Sequence, residues 1–195
     1  MIPYPEPGTY ELGKIQEVPF SVVIDGSGYP KLLSSYTTGK ITLMTFFYAL
    51  CTDPTGCPLL WNAFFEVRDK IAEDPELRDE VQLVFYSFDP KHDVPQTLQL
   101  FEDLENKGNA PVPWYFVTSW TDYFLKSTLE DFGQPIYADK DSRGRIIINH
   151  SLKVFLIDPD GWVREIYASN FLDPGVILND IKTLVMEERG QSIGQ

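Results

Sequence analysis

The sequence predicts an α/β fold in which a central mixed sheet is flanked by helices. Three observations carry this. Two strand-length runs, Lys40–Tyr48 and Val81–Phe88, are almost wholly apolar, as expected of strands covered on both faces. Between them lies a stretch with helical spacing, and the alternation of strand and helix then continues along the chain. Last, a clear β-hairpin stands ahead of a final helix.

The first eighteen residues carry Pro3, Pro5, Pro7, Gly8 and Gly13 and read as an extended arm. From Phe20, two short strands surround Asp25-Gly26-Ser27-Gly28, a hairpin signal. The strand at 40–48 follows. A helix from about Pro58 to Ala72 places Leu60, Phe64, Val67 and Ile71 on one face. Pro58 suits its first turn, where no backbone N–H is needed. Asp74-Pro75 ends it, and Val81–Phe88 is the second buried strand. Strand, helix and strand make a right-handed βαβ unit. In the loop that follows, Asp93 is placed to cap the next helix, with Gln96 completing a capping box. Leu98, Phe101 and Leu104 give that helix its stripe, and Gly108 closes it.

Trp114–Thr118 is the third strand of the series. Ser119 or Thr121 caps a helix holding Tyr123, Phe124 and Phe132, stopped at Gly133. Residues 135–149 read as an excursion, charged from Asp139 to Arg145 and β-branched from Ile146 to Ile148. The hairpin pairs Ser151–Ile157 with Trp162–Tyr167 across Asp158-Pro159-Asp160-Gly161. Asp173-Pro174 opens the last helix, which buries Ile177, Ile181, Leu184 and Val185. This order is a thioredoxin-like layout with an N-terminal β-hairpin extension and an insertion before the last hairpin. The expected division is an arm at 1–17, a single domain at 18–190 and a flexible tail at 191–195.

At 195 residues, 43% of them hydrophobic, the chain can bury one sizeable core. Sixteen basic and 29 acidic residues give a net charge of −13, which argues against nucleic acid or an anionic membrane as the main partner. No 18-residue apolar run occurs, so no transmembrane helix is expected. The first residues lack the charged and apolar regions of a signal peptide.

The only two cysteines, Cys51 and Cys57, stand in a short polar loop between the first buried strand and its helix. Their closeness suggests a redox pair, and Gly56 gives the intervening Thr-Asp-Pro-Thr-Gly a turn able to bring the sulfurs together. Cys57 falls in the first helical turn, where the helix dipole favours a thiolate. If the strand from Ser151 runs antiparallel to the strand at 40–48, His150 arrives at the same sheet edge as the cysteines. Two thiolates and an imidazole suit Cu(I), Cu(II) or Zn(II). Asp53, inside the loop, is a further oxygen donor. His92, the other histidine, sits in a charged loop and is expected to face solvent.

These residues resemble the Sco/SenC family of thioredoxin-like copper proteins. The resemblance rests on the apolar strand ending in FFYALC and the loop closed by Cys57-Pro58. It rests also on Ser87-Phe88-Asp89-Pro90 with Asp93 and Pro95 following, and on Asn149-His150-Ser151 running into VFLIDPDG. It implies copper held by Cys51, Cys57 and His150, and delivery of copper to, or reduction of the cysteines of, the dinuclear copper site of cytochrome oxidase. It implies too that Asp89 and Asp93 tune His150 from behind, and that the protein works outside the cytoplasmic membrane, periplasmic or tethered there by an N-terminal anchor. The family spaces its cysteines by three residues, and this chain by five.

Two functions therefore stand side by side. One is a metallochaperone without turnover, carrying copper (or, less in keeping, zinc) to a copper-enzyme subunit or other copper protein. The other is a thiol-disulfide oxidoreductase acting on a metalloprotein or cytochrome and served by a thiol-disulfide reductant. A peroxide-reducing role would need an arginine beside the cysteines, for which Arg68 and Arg164 are the candidates. A binding module with a purely structural disulfide is the remaining reading.

Overall fold

The computed structural model describes residues 4–51, 53, 56–108, 110–140, 146–191 and 194, and the side chains of residues 138–150 lie outside that description. In chain order the elements are β1 (Gln16–Glu17), β2 (Val22–Ile24), β3 (Pro30–Leu32), α1 (Ser34–Thr37), β4 (Ile41–Phe47), α2 (Gly56–Glu73), β5 (Val81–Ser87), α3 (Pro95–Glu105), β6 (Trp114–Ser119), α4 (Asp122–Asp131), β7 (Ile136–Lys140), β8 (Ile146–His150), β9 (Lys153–Ile157), β10 (Trp162–Ala168) and α5 (Pro174–Glu188).

Eight strands form one sheet in the order β1-β10-β9-β4-β5-β6-β2-β3. Strands β4, β5 and β6 are parallel, with Leu43 opposite Leu83 and Leu83 opposite Trp114. β9 lies antiparallel to β4, so Val154 meets Thr45 and Ile157 meets Thr42. The mixed sheet and the central place of β4 are as the sequence predicts.

All seven residues of β4 and of β5 are buried. Alternate residues serve two cores, because successive side chains leave opposite faces of a strand. Ile41, Leu43 and Phe47 face one core, shared with Leu60, Phe64, Val67 and Ile71 of α2 and Ile177, Ile181 and Leu184 of α5. Met44 and Phe46 face the other, shared with Leu33, Tyr36, Leu129 and Phe132. At ~25 cal/mol per Å² of apolar surface, each of these fully buried side chains contributes roughly 1.5–3 kcal/mol.

Local signals set several boundaries. The Thr121 hydroxyl accepts from the Phe124 N–H at 3.3 Å and caps α4. The Asp173 carboxylate accepts from the Gly175 N–H at 2.8 Å and caps α5, with Pro174 next. Gly161, at φ +90°, makes the β9–β10 turn in a conformation that side chains resist.

Three expectations need correction. Residues 135–149 are largely a second sheet: β7 and β8 pair antiparallel, with Ile136 opposite His150. The strand predicted at 151–157 accordingly starts at Lys153. Asp93 does not cap α3, whose N-cap is Val94 with no side-chain hydrogen bond. Its carboxylate is taken by a tertiary contact described below. Two short elements, β1 and α1, were not foreseen.

The N-terminal arm lies on α5. Tyr4 donates to Asp173 at 2.5 Å and Tyr10 to Asp180 at 2.5 Å, and β1 pairs with β10.

Candidate functional site

The site grows from the C-terminal end of β4. Beyond Phe47 the chain turns, with the Cys51 N–H donating to the Tyr48 carbonyl at 3.3 Å. The Tyr48 and Phe88 rings pack at 5.1 Å between centroids, and half-buried Cys51 packs on the same core cluster. The turn is held from the side by Asp93. Its two carboxylate oxygens accept from the Ala49 N–H at 3.1 and 3.3 Å, and one also accepts from the Ser87 hydroxyl. The Ser87 oxygen in turn accepts from the Asp89 N–H at 3.0 Å. Burial pushes the Asp93 carboxyl above its ordinary range, against the pull of the Ser87 and Ala49 hydrogen bonds.

Cys57 is the second residue of α2, in its first turn as predicted. Its sulfur is bonded to that of Cys51, with the two Cα atoms 6.7 Å apart and a sequence separation of 6. The disulfide therefore joins the end of the central strand to the start of the helix. The Asp53 carboxylate lies against the helix start, and a methyl group at Gly56 would require that carboxylate to move aside.

Beside the disulfide lies a narrow cleft lined by Tyr48, Asp53, Cys57, Trp61 and Leu152. A second cleft joins Asp53, Gly56 and Leu59 to Ser151, Leu152 and Lys153. The junction of β8 and β9 thus reaches the cysteine loop. The backbone of His150 ends β8, directly before Ser151, while its side chain falls outside the described residues. Among the described residues no group of three His, Cys, Asp or Glu side chains forms a metal cluster.

The other predicted residues are placed as follows. His92 is exposed, and its Nδ1 lies 2.7 Å from the Asp89 carboxylate. Arg68 pairs with Glu105 at 2.9 Å, about three helical turns beyond Cys57 on α2. Arg164 is buried at the other end of the sheet, bound to Asp158 at 3.0 Å, to Glu187 at 2.8 Å and to the Leu12 carbonyl. Both arginines are thus engaged away from the disulfide, which removes the support for a peroxide-reducing role. Sequence reasoning passed over Ser87 as a partner of Asp93, although its position two residues before Asp89 marks the end of a buried strand. It also missed Gln134. That residue is fully buried and donates to the Ser151 carbonyl at 2.6 Å, tying the end of α4 to the β8–β9 junction.

Chemically, two sulfurs held at a strand–helix junction can be reduced by two electrons and two protons to a dithiol. That dithiol fits a soft metal: the disulfide shows that both sulfurs reach one point, and the soft sulfur pair matches copper's preference.

A mixed sheet flanked by helices, with a cysteine pair where the central strand meets its helix, defines a thioredoxin-like protein. The SCO1/SenC family model matches residues 19–186, and the chain belongs to that family. Among solved structures, copper-bound ScoI of Arabidopsis thaliana is similar at 20% identity and a TM-score of 0.72, covering 88% of this chain and 99% of that one. A SCO1/SenC family lipoprotein from Bacillus anthracis is 24% identical at TM-score 0.62, covering 86% and 94%. BsSco, described as a Sco-family cytochrome c oxidase assembly protein with a disulfide switch, is 21% identical at TM-score 0.63, covering 93% and 97%. No curated protein sequence matches the chain.

Proposed function

We propose that this protein carries copper on Cys51, Cys57 and His150 and passes it to a copper enzyme such as cytochrome oxidase. The observation that carries the reading is the Cys51–Cys57 bond, which shows two sulfurs converging at the end of the central strand. Family membership adds weight, as do relatives described as copper-bound and as cytochrome c oxidase assembly proteins. Ser151 lines a cleft with Asp53 and Gly56, and His150 is the residue directly before it in the chain. In this reading the disulfide is the empty form. A thiol-disulfide reductant opens it to two thiols, which lose their protons as copper binds, and two-electron reoxidation by a disulfide-bonded partner, itself reduced to a dithiol, releases the metal. Asp93 holds the turn before Cys51 through Ala49, and the Asp89–His92 pair lies on the adjoining loop. We place the protein outside the cytoplasmic membrane. Support comes from the lipoprotein relative, and no helix among the described residues is long and apolar enough to cross a membrane.

The test is a titration of fully reduced protein with Cu(I), Cu(II) and Zn(II). One tight copper equivalent is expected, weakened in Cys51→Ser, Cys57→Ser and His150→Ala. Unchanged Cu(II) affinity in His150→Ala would remove the nitrogen ligand from the scheme.

The disulfide also favours a second reading, thiol-disulfide exchange with a metalloprotein. A thiolate of the reduced pair attacks the partner's disulfide and forms a mixed disulfide. The second cysteine then attacks its neighbour's sulfur, releasing the partner as a dithiol and leaving Cys51–Cys57 oxidised. A reversible potential and turnover with a thiol reductant are its signature. A pair that stays oxidised in strong reductant excludes it.

A further inference from the structure

A groove of about 720 Å³ runs beside the cysteine pair, between α4, the β5–α3 loop and the start of β7. Its floor is apolar: Phe88, Leu125, Leu129 and Ile136 line it. All four belong to, or pack against, the core cluster on which Cys51 also packs. This size and lining are those of a binding site rather than a packing fault.

Four features say what fits there. Gln134 lines the groove fully buried, its amide nitrogen spent on Ser151, and its carbonyl oxygen has no donor among the described residues. A buried acceptor of this kind calls for an incoming N–H. Among the described residues β7 pairs with β8 alone, so one of its edges has no strand partner there. The rim is nearly balanced, with Asp89, Asp122 and Glu130 against Lys91 and Lys126, although the chain as a whole carries −13. Charge complementarity therefore selects an uncharged occupant rather than a basic one. Finally, Tyr123 and Tyr137, neighbours of groove residues, are 75% and 67% exposed. Exposed aromatics are enriched at protein interfaces.

We propose that this groove receives an extended, uncharged, apolar segment of a partner protein, laid along β7 with an N–H donated toward Gln134. The inference rests on the reading above that the cysteine pair serves a partner protein, and it names where that partner is gripped.

The test uses the full oxidised chain and capped octapeptides of alternating leucine and serine, followed by methyl and amide NMR shifts. Saturable binding is expected, with the largest shifts at Leu125, Leu129 and Ile136. Methylating alternate backbone nitrogens should weaken it at least tenfold, because the N–H donors are gone. Leu125→Glu should weaken it similarly, and so should Lys91→Trp, a change at an exposed rim residue that leaves the core untouched. Absence of shifts at these residues up to millimolar peptide overturns the proposal. Equal binding of the methylated peptide also overturns it, since the groove would then be an apolar small-molecule site. Copper titration of Lys91→Trp separates the two readings. Retained copper with lost peptide locates the groove apart from the metal, whereas peptide binding in a protein that takes no copper overturns only the copper reading.

Discussion

Replacing Asp93 with alanine tests how the turn before Cys51 is held. The carboxylate accepts from the Ala49 N–H and from the Ser87 hydroxyl, and Ser87 is fully buried. Its removal leaves two donors without an acceptor, each costing ~1–3 kcal/mol, or about 2–6 kcal/mol together. Relief of the burial that pushes this carboxyl up offsets part of that. The net expectation is a loss of roughly 2–4 kcal/mol, which for a chain of this size lowers Tm by roughly 5–15 °C. Asp93→Asn keeps one acceptor and the volume, and should lose about 1 kcal/mol. The assay is urea unfolding of the oxidised protein followed by circular dichroism, with the urea dependence checked for a constant slope. A loss under ~0.5 kcal/mol in Asp93→Ala, within the range of an ordinary surface change, refutes the clamp. Equal losses in Ala and Asn variants would show that charge, not hydrogen-bond acceptance, matters there.

Other expectations follow from the same geometry. Opening the Cys51–Cys57 loop, of separation six, by replacing both cysteines with serine should cost about 2 kcal/mol through loop entropy in the unfolded chain, read by the same unfolding assay against the oxidised protein. Arg164→Leu should destabilise by roughly 3–5 kcal/mol, because Asp158 would be left charged and buried; a loss under ~1 kcal/mol would show the pair to be dispensable. Asp180 accepts from Tyr10 and Tyr167, and burial raises its carboxyl above the ordinary 3.8. A raised acid stabilises the fold fully below its unfolded pKa, and that contribution is lost as pH rises through the folded value. Stability of the wild type relative to Asp180→Asn should therefore fall as pH rises above ~4. A difference that is flat or grows with pH contradicts the assignment.

What the sequence made legible was mostly local or doubly buried. β4 and β5 were plain because both faces are covered and most positions are apolar. The caps at Thr121 and Asp173 were plain because a capping oxygen reaches only two or three residues ahead. Asp93 shows the limit of that logic. It has the right spacing for a cap, yet its carboxylate goes to Ala49, 44 residues earlier, and a buried tertiary donor wins over an exposed helix start. The β7–β8 pair was hidden for another reason. Its charged middle, Asp139 to Arg145, interrupts the apolar pattern, and its pairing depends on two segments finding each other. In the site, the cysteines announced themselves as a pair. That Asp53 lies on Gly56, and that Gln134 ties α4 to Ser151, depends on loop geometry that no spacing rule encodes.

The two-stranded sheet has a consequence for how this site can change over time. Cys51 and Cys57 are mounted on the eight-stranded sheet and its helix, whereas His150 ends a strand whose only strand partner among the described residues is β7. The sulfur couple and the proposed nitrogen donor thus belong to separate hydrogen-bond ladders, with Ser151 and Leu152 linking β8 to β9. On the proposed copper reading, substitutions in β7 and β8 act on the nitrogen donor, and substitutions in the cysteine loop act on the dithiol. A five-residue loop between the cysteines is one such adjustment, made on the sulfur side of a modular centre.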